Sequence, residues 1–258
     1  MKFITFEKKG PIGWITLNRP NQRNALSLGL MNEIQKQLNL ITKDRSICVI
    51  IIKGNGPDFC AGHDLNELVG NNYGIEHFRK IFSTSTEMMQ TLHNIPQPVI
   101  AQVHGIATAA GCQLVAACDL AIADSRAKFA TPGVKIGLFC ITPMVPLCRT
   151  IGRRRALDML LTGRFVSAQE AKKIGLINRL VEPEKLAEEA EKLALEIAQY
   201  SLHTLETGKK AFYEQVDNDE LSAYNYAKEE ISKNCLSEDA QEGMKAALEK
   251  RKAVWKDR

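Results

Sequence analysis

The 258-residue sequence has no CxxC pair, no His/Cys spacing of the kind that holds zinc, and no apolar run long enough to cross a bilayer. These absences exclude a zinc-ribbon module and a helical membrane protein. Its seven cysteines (Cys48, Cys60, Cys112, Cys118, Cys140, Cys148 and Cys235) are odd in number and sit mostly in apolar surroundings. That pattern argues against a disulfide framework and for buried thiols in a reducing compartment. The excess of basic over acidic residues is only +4, without interleaved aromatics, so nucleic-acid binding is disfavoured. Neither an apolar signal core nor an Arg/Ser-rich leader precedes the first strand-like segment. A cytoplasmic location is therefore expected, or the mitochondrial matrix for a processed eukaryotic chain. No tandem repeat and no low-complexity segment is present.

What remains is the pattern of an α/β protein long enough to bury one large core. Alternation over 3–7, a Lys9-Gly10-Pro11 turn and GWITLN at 13–18 predict a hairpin. Ser27 is placed to cap a helix running to about Thr42, with Leu30, Ile34, Leu38 and Ile41 on one face. Short apolar runs at 48–53 and 99–103 read as buried strands. Further strands are expected at 119–123, 128–130 and 178–181. Helices are expected over 78–93 and from Pro143 through Leu161, and Ser167 to Glu170 has the form of a capping box. From Pro183 onward the chain carries helical signals and no strand. Its apolar faces need a cover, and a closed homo-oligomer supplies one.

The stretch HGIATAAGCQLVAACD at 104–119 bears most directly on chemistry. Small residues let backbone approach a ligand closely. The first N–H groups of the helix that follows have no partner inside the helix and lie at its positive end, which suits a developing oxyanion. A tightly packed helix crossing accounts for the same small residues, and both readings stay open on this stretch alone.

Several segments together resemble the crotonase superfamily, the enoyl-CoA hydratase/isomerase family. They are ITLNRPNQRNALS at 15–27, FCAGHDL at 59–65, PVIAQVHGIATAAGCQLVAACDLAIA at 98–123, FATPGVKIGL at 129–138, LTGRFVSAQEAKKIGLINRLV at 161–181 and EGMKAALEKRKAVWKDR at 242–258. Within the family, the GHDL, AAGCQL and ATPGVKIGLF strings are most similar to the enoyl-CoA hydratase domain-containing type.

The resemblance implies a spiral of ββα units over residues 1–195 and a helical trimerisation subdomain over 196–258. The assembly implied is a homotrimer or a hexamer made of two trimers. The ligand implied is an acyl-CoA thioester, with coenzyme A as part of the substrate and no permanently bound cofactor or metal. An enolate formed at the thioester carbonyl would be held by two backbone N–H groups, by position those of Ala61 and Ala110. Coenzyme A would be held by Arg23, Ala25 and Leu26, by the loop residues Ala61, His63, Asp64 and Leu65, and by a C-terminal base such as Lys252, drawn from Lys250, Arg251, Lys252 and Lys256.

The chain departs from the hydratase pattern at both of its glutamates. Gln113 stands at one position and Gly133 at the other. A glutamine amide neither accepts nor gives a proton near neutral pH, and glycine has no side chain, so the two-glutamate addition of water is put in doubt. His63 and Cys140 are the remaining candidates for proton transfer. Against them stand a polar loop or coenzyme contact for His63 and an inert buried thiol for Cys140. Asp64 is also suited to cap a helix from Leu65 to Val69. His104 reads as structural, and Asp119 and Asp124 as turn or packing residues. Two functions compete: a thioester enzyme with other chemistry, and a non-catalytic acyl-CoA binder. If the pocket is otherwise intact, Gln113→Glu with Gly133→Glu should raise hydration of crotonyl-CoA.

Overall fold

Alternating residues at the start of the chain pair as a hairpin in a computed structural model that describes residues 2–70 and 73–257. Strands β1 (Ile4–Lys9) and β2 (Ile12–Leu17) run antiparallel, Ile4 opposite Leu17. Strands β3 (Val49–Gly54), β4 (Val99–Val103), β6 (Leu120–Asp124) and β9 (Arg179–Val181) add in parallel, giving the order β1-β2-β3-β4-β6-β9. A smaller sheet joins β5 (Ile106–Thr108), β7 (Lys128–Ala130) and β8 (Val166–Ser167) in the order β5-β7-β8.

Strand β3 is apolar on both faces because both are covered. Ile50 and Ile52 pack into the cluster built with α1 (Leu28–Ile41), α2 (Ile75–Asn94) and α3 (Ala110–Ala117). Val49 and Ile51 join Trp14, Ile100 and Ile122 against Leu186, Ala190, Leu193 and Ala194 of α7 (Leu186–Ala198). The division expected at 195/196 thus falls within a helix that lies on the sheet. The later helices α8 (Leu202–Gln215), α9 (Glu220–Asn234) and α10 (Glu238–Leu248) bury little, and no residue of α9 is buried within the chain.

Local signals set several helix ends. The Ser27 hydroxyl accepts from the Leu30 N–H at 3.2 Å, opening α1 as expected. Ser167 does the same for Glu170 at the start of α6 (Ala168–Ile174), but only half of the capping box forms. The Glu170 carboxylate turns away to the Arg164 guanidinium, at 2.6 and 3.0 Å. The helix expected through Leu161 is two, α4 (Ile141–Ile151) and α5 (Arg153–Thr162), divided at Gly152. There φ is +80°, which no right-handed helix tolerates. The short strands β5 and β8 carry too few residues for a period to show, and their partners lie 20 or more residues away.

Candidate active site

Three segments converge at the C-terminal ends of β2 and β3 and at the start of α3. The turn over 19–26 is held by Asn24, which is fully buried. Its amide donates to the Asn55 and Asp58 carbonyls at 2.9 and 2.8 Å and accepts from the Arg19 N–H at 2.9 Å. Arg23 and Asn24 both have left-handed backbone, φ +48° and +55°. Asparagine tolerates that conformation better than most residues, which is the sequence signal for this turn.

The loop over 58–64 lies between this turn and β5. The Cys60 N–H donates to the Ile106 carbonyl and the Thr108 N–H to the Cys60 carbonyl, each at 3.0 Å. On its other edge, the Leu26 N–H donates to the Gly62 carbonyl at 2.7 Å and the Asp64 N–H to the Leu26 carbonyl at 3.1 Å. The expected coenzyme-binding residues Arg23, Ala25, Leu26, Ala61, His63, Asp64 and Leu65 are therefore brought side by side. Lys252 is not: it is exposed in the C-terminal segment, and no hydrogen bond or ion pair among the described residues links it to these loops. Its neighbours Arg251 and Lys256 are tied to Glu242, Glu249 and Glu238.

The amides of the loop are not equivalent. The Ala61 N–H, one of the two donors expected for an oxyanion, is taken by the Arg23 carbonyl at 3.0 Å. The Gly62 N–H points to the Cys60 sulfur, and that of Asp64 is paired as above. The His63 N–H has no acceptor among the described residues, and neither has that of Ala110, the first residue of α3. The physical reason lies at Gly62, where φ is +99°. In a regular strand the amides of 61 and 63 would face the same way. The reversal at Gly62 turns 64 toward the 19–26 turn instead and leaves 63 unpaired. A Cβ on Gly62 would stand 2.9 Å from the Ala109 Cβ and 3.4 Å from the Ala110 nitrogen, so only glycine lets this loop sit so close to the helix start.

The side chains give the site its character. Both ring nitrogens of His63 are buried without a well-formed hydrogen bond, and the ring stands edge-on to Phe82 at 5.2 Å. Burial pushes its pKa down from 6.5 to about 4, partly offset by the Leu26 backbone. His63 is thus a neutral imidazole at neutral pH and a weak base. Phe82 also lines an open groove of about 630 Å³ along α2, together with Ile75, Phe78, Ser83 and Thr86.

The Asp64 carboxylate caps the short 3-10 helix Leu65–Glu67 through the Asn66 N–H at 3.1 Å. It also pairs with Arg19 at 2.8 Å. Burial opposes its charge, but Arg19 and Asn66 prevail and hold its pKa below the ordinary carboxylate range. Gln113 is 4% exposed, and its Oε1 has no partner. The buried Thr131 hydroxyl is likewise unpaired. Cys140 is buried, with the Gly133 N–H directed at its sulfur. Desolvation nonetheless raises its pKa, so the thiol stays protonated. Position 133 is closed to side chains. A Cβ there would stand 2.0 Å from the Leu138 carbonyl oxygen and 2.9 Å from the Cys140 sulfur.

Two residues read as structural are indeed tied to backbone: His104 Nε2 meets the Gly56 carbonyl at 2.8 Å, and Asp124 accepts from the Arg126 N–H at 2.9 Å. Asp119 does more than pack. Its carboxylate accepts from the Val99 N–H at 2.6 Å and from Tyr213 at 2.8 Å, and it pairs with Lys209 at 2.7 Å. Lys209 also donates to the Leu92 and Gln97 carbonyls, and Tyr213 stacks on His93 at 4.0 Å. The i, i+4 pair Lys209 and Tyr213 on α8 was the sequence signal for this anchor.

A pH dependence follows from His63. Between pH 6.5 and 4 the unfolded chain binds the proton that the folded protein refuses. Its contribution to stability is therefore full above pH 6.5 and shrinks as the pH falls to 4, by at most about 3 kcal/mol. Urea unfolding across this range should show the loss, and His63→Leu should flatten it. Equal slopes in both proteins would assign the loss to other groups.

The family profile for Enoyl-CoA hydratase/isomerase matches residues 7–258. An enoyl-CoA hydratase domain-containing protein 3, mitochondrial, from Rattus norvegicus is 44% identical over 241 residues, covering 93% of this chain and 80% of that protein. A probable enoyl-CoA hydratase from Rhizobium meliloti (strain 1021) is 34% identical over 256 residues, covering 99% and 98%. The crystal structure of an enoyl-CoA hydratase from Mycobacterium smegmatis superposes with a TM-score of 0.95 at 41% identity, covering 99% of each chain. That of the human enoyl coenzyme A hydratase domain-containing protein 3 gives 0.95 at 42% identity, covering 98% of this chain and all of the other. With its two sheets, small-residue loops and helical end, the chain belongs to the enoyl-CoA hydratase/isomerase (crotonase) family.

Proposed function

We propose that the protein is an enzyme on acyl-CoA thioesters that stabilises a thioester enolate between the Ala110 and His63 backbone N–H groups, without two-carboxylate activation of water. The family supports the thioester class. The observation that carries the rest is the pair of acceptor-free amides on the two sides of the Gly62 contact. Donors held in place by the fold cost no reorganisation when negative charge develops on the thioester oxygen. Gln113 can orient a group but cannot move a proton, and the Leu138 carbonyl fills the place of a side chain at 133. The neutral His63 imidazole is the candidate left to take a proton from the carbon next to the thioester, and that transfer is favoured over addition of water.

Arg23, Ala25, Leu26, Ala61, His63 and Leu65 form the coenzyme-binding edge in this reading, with Asp64 shaping the loop through Arg19. The helices after residue 196 serve as the trimerisation region. The exposed apolar side chains Phe212, Leu221, Tyr224 and Ile231 support this. The location proposed is the cytoplasm, or the matrix in the manner of the relatives whose names include "mitochondrial".

The test is mass spectrometry of saturated and unsaturated acyl-CoA thioesters incubated with the protein in heavy water. Deuterium uptake without water addition is the expected result. Rapid water addition to an enoyl-CoA would overturn the reading. A panel that binds and stays unchanged would leave the protein as a non-catalytic acyl-CoA binder.

A further inference from the structure

The backbone of Ala109 lies at φ +50° and ψ −118°, a region that favours glycine. These values match the first central position of a type II′ turn, where a Cβ is strained. By contrast, Arg23, with φ +48° and ψ +38°, lies in the ordinary left-handed region. The Ala109 conformation is held from three sides. Its N–H donates to the Ala130 carbonyl at 2.9 Å, fixing it to β7. Its carbonyl accepts from the Gln113 N–H at 3.0 Å, fixing it to the first turn of α3. Its methyl lies against Gly62, 2.9 Å from where a Cβ on that residue would stand.

The ψ torsion of residue 109 sets the plane of the peptide that carries the Ala110 N–H. Rotation at this bond swings that N–H relative to the His63 loop. Glycine at 109 would reach the same torsions without strain, and many others as well.

We infer that Ala109 is a positioning residue: its strained backbone and its methyl against Gly62 hold the Ala110 N–H in the direction needed to polarise a thioester carbonyl. The inference rests on the oxyanion reading above. It adds that the donor's direction is maintained at the expense of fold stability. Fold and function therefore respond in opposite directions to release of the strain, as they do where strain belongs to a site.

The experiment compares the wild-type protein, Ala109→Gly and Ala109→Ser, each bound to butyryl-CoA labelled with 13C at the thioester carbonyl. The readouts are the carbonyl stretching frequency, deuterium exchange at the adjacent carbon, the Kd and the Tm. Ala109→Gly is expected to raise the Tm by roughly 2–4 °C. It should lower the carbonyl red-shift and slow exchange about tenfold, less than complete loss of an oxyanion donor. The Kd should change little. Ala109→Ser, which keeps a Cβ, should keep the wild-type red-shift. A raised Tm with unchanged red-shift and exchange would make the strain merely structural and overturn the inference. So would a Tm that does not rise. A bound wild-type complex with no red-shift would sink the oxyanion reading itself, and this inference with it.

Discussion

Gly133→Ala is expected to destabilise the protein by about 3 kcal/mol, near the upper end of overpacking costs. The new Cβ meets the Leu138 carbonyl oxygen at 2.0 Å and the Cys140 sulfur at 2.9 Å. The clashing oxygen is backbone rather than the end of a flexible side chain, and the Leu138 N–H, bound to the Gly133 carbonyl at 2.9 Å, holds the two residues together. The whole 133–138 turn has to move. The same geometry reverses an expectation drawn from the residues alone, that glutamates restored at 113 and 133 would raise crotonyl-CoA hydration. A glutamate at 133 begins with the same clash, so the double variant should gain no hydration even where it folds and binds ligand. Denaturant unfolding of Gly133→Ala and a hydration assay of the double variant check this. Wild-type stability in the first, or a clear gain of hydration in the second, would show that the turn has another backbone arrangement within easy reach.

Asp119→Ala should cost more, about 4 kcal/mol. The carboxylate is the counter-charge of Lys209, whose side chain is 7% exposed. Burial already presses the Lys209 pKa down, and Asp119 works against that. Removing it leaves an uncompensated buried ammonium and strips acceptors from the Val99 N–H and the Tyr213 hydroxyl. Lys209→Met in the same background should recover much of the loss, since an apolar side chain needs no counter-charge there. Urea titrations of the two single variants and the double variant measure the coupling. Additive losses would show that the two side chains act independently.

Much of the fold could be read in local sequence, because local sequence decides it. The hairpin of β1 and β2 follows from alternation and a Gly-Pro turn, and the serine caps at 27 and 167 from a hydroxyl three residues ahead of an N–H. Glycine at 152 was in plain view, yet whether it bends a helix or ends one depends on its φ, which composition does not state. At the site, residue types alone exclude a carboxylate at 113 and 133. The small-residue loop over 58–64 was also legible, but not which of its amides is free. That turned on one reversal at Gly62 and on the Arg23 carbonyl some forty residues earlier in the chain.

The sequence by itself determined the alternation of strands and helices, the places where backbone comes close to backbone, and the absence of carboxylates from positions 113 and 133. These depend on the period of the apolar residues, on caps and on the presence or absence of an atom. Tertiary structure decided that β5 finds β7, that His63 rather than Ala61 offers the unpaired N–H, and that a carbonyl fills the space beside Gly133. It also decided that a buried ion pair fastens α8 to the core. Each of these is a contact between segments distant in sequence. Its energy depends on distance and desolvation, and neither exists until the chain has folded.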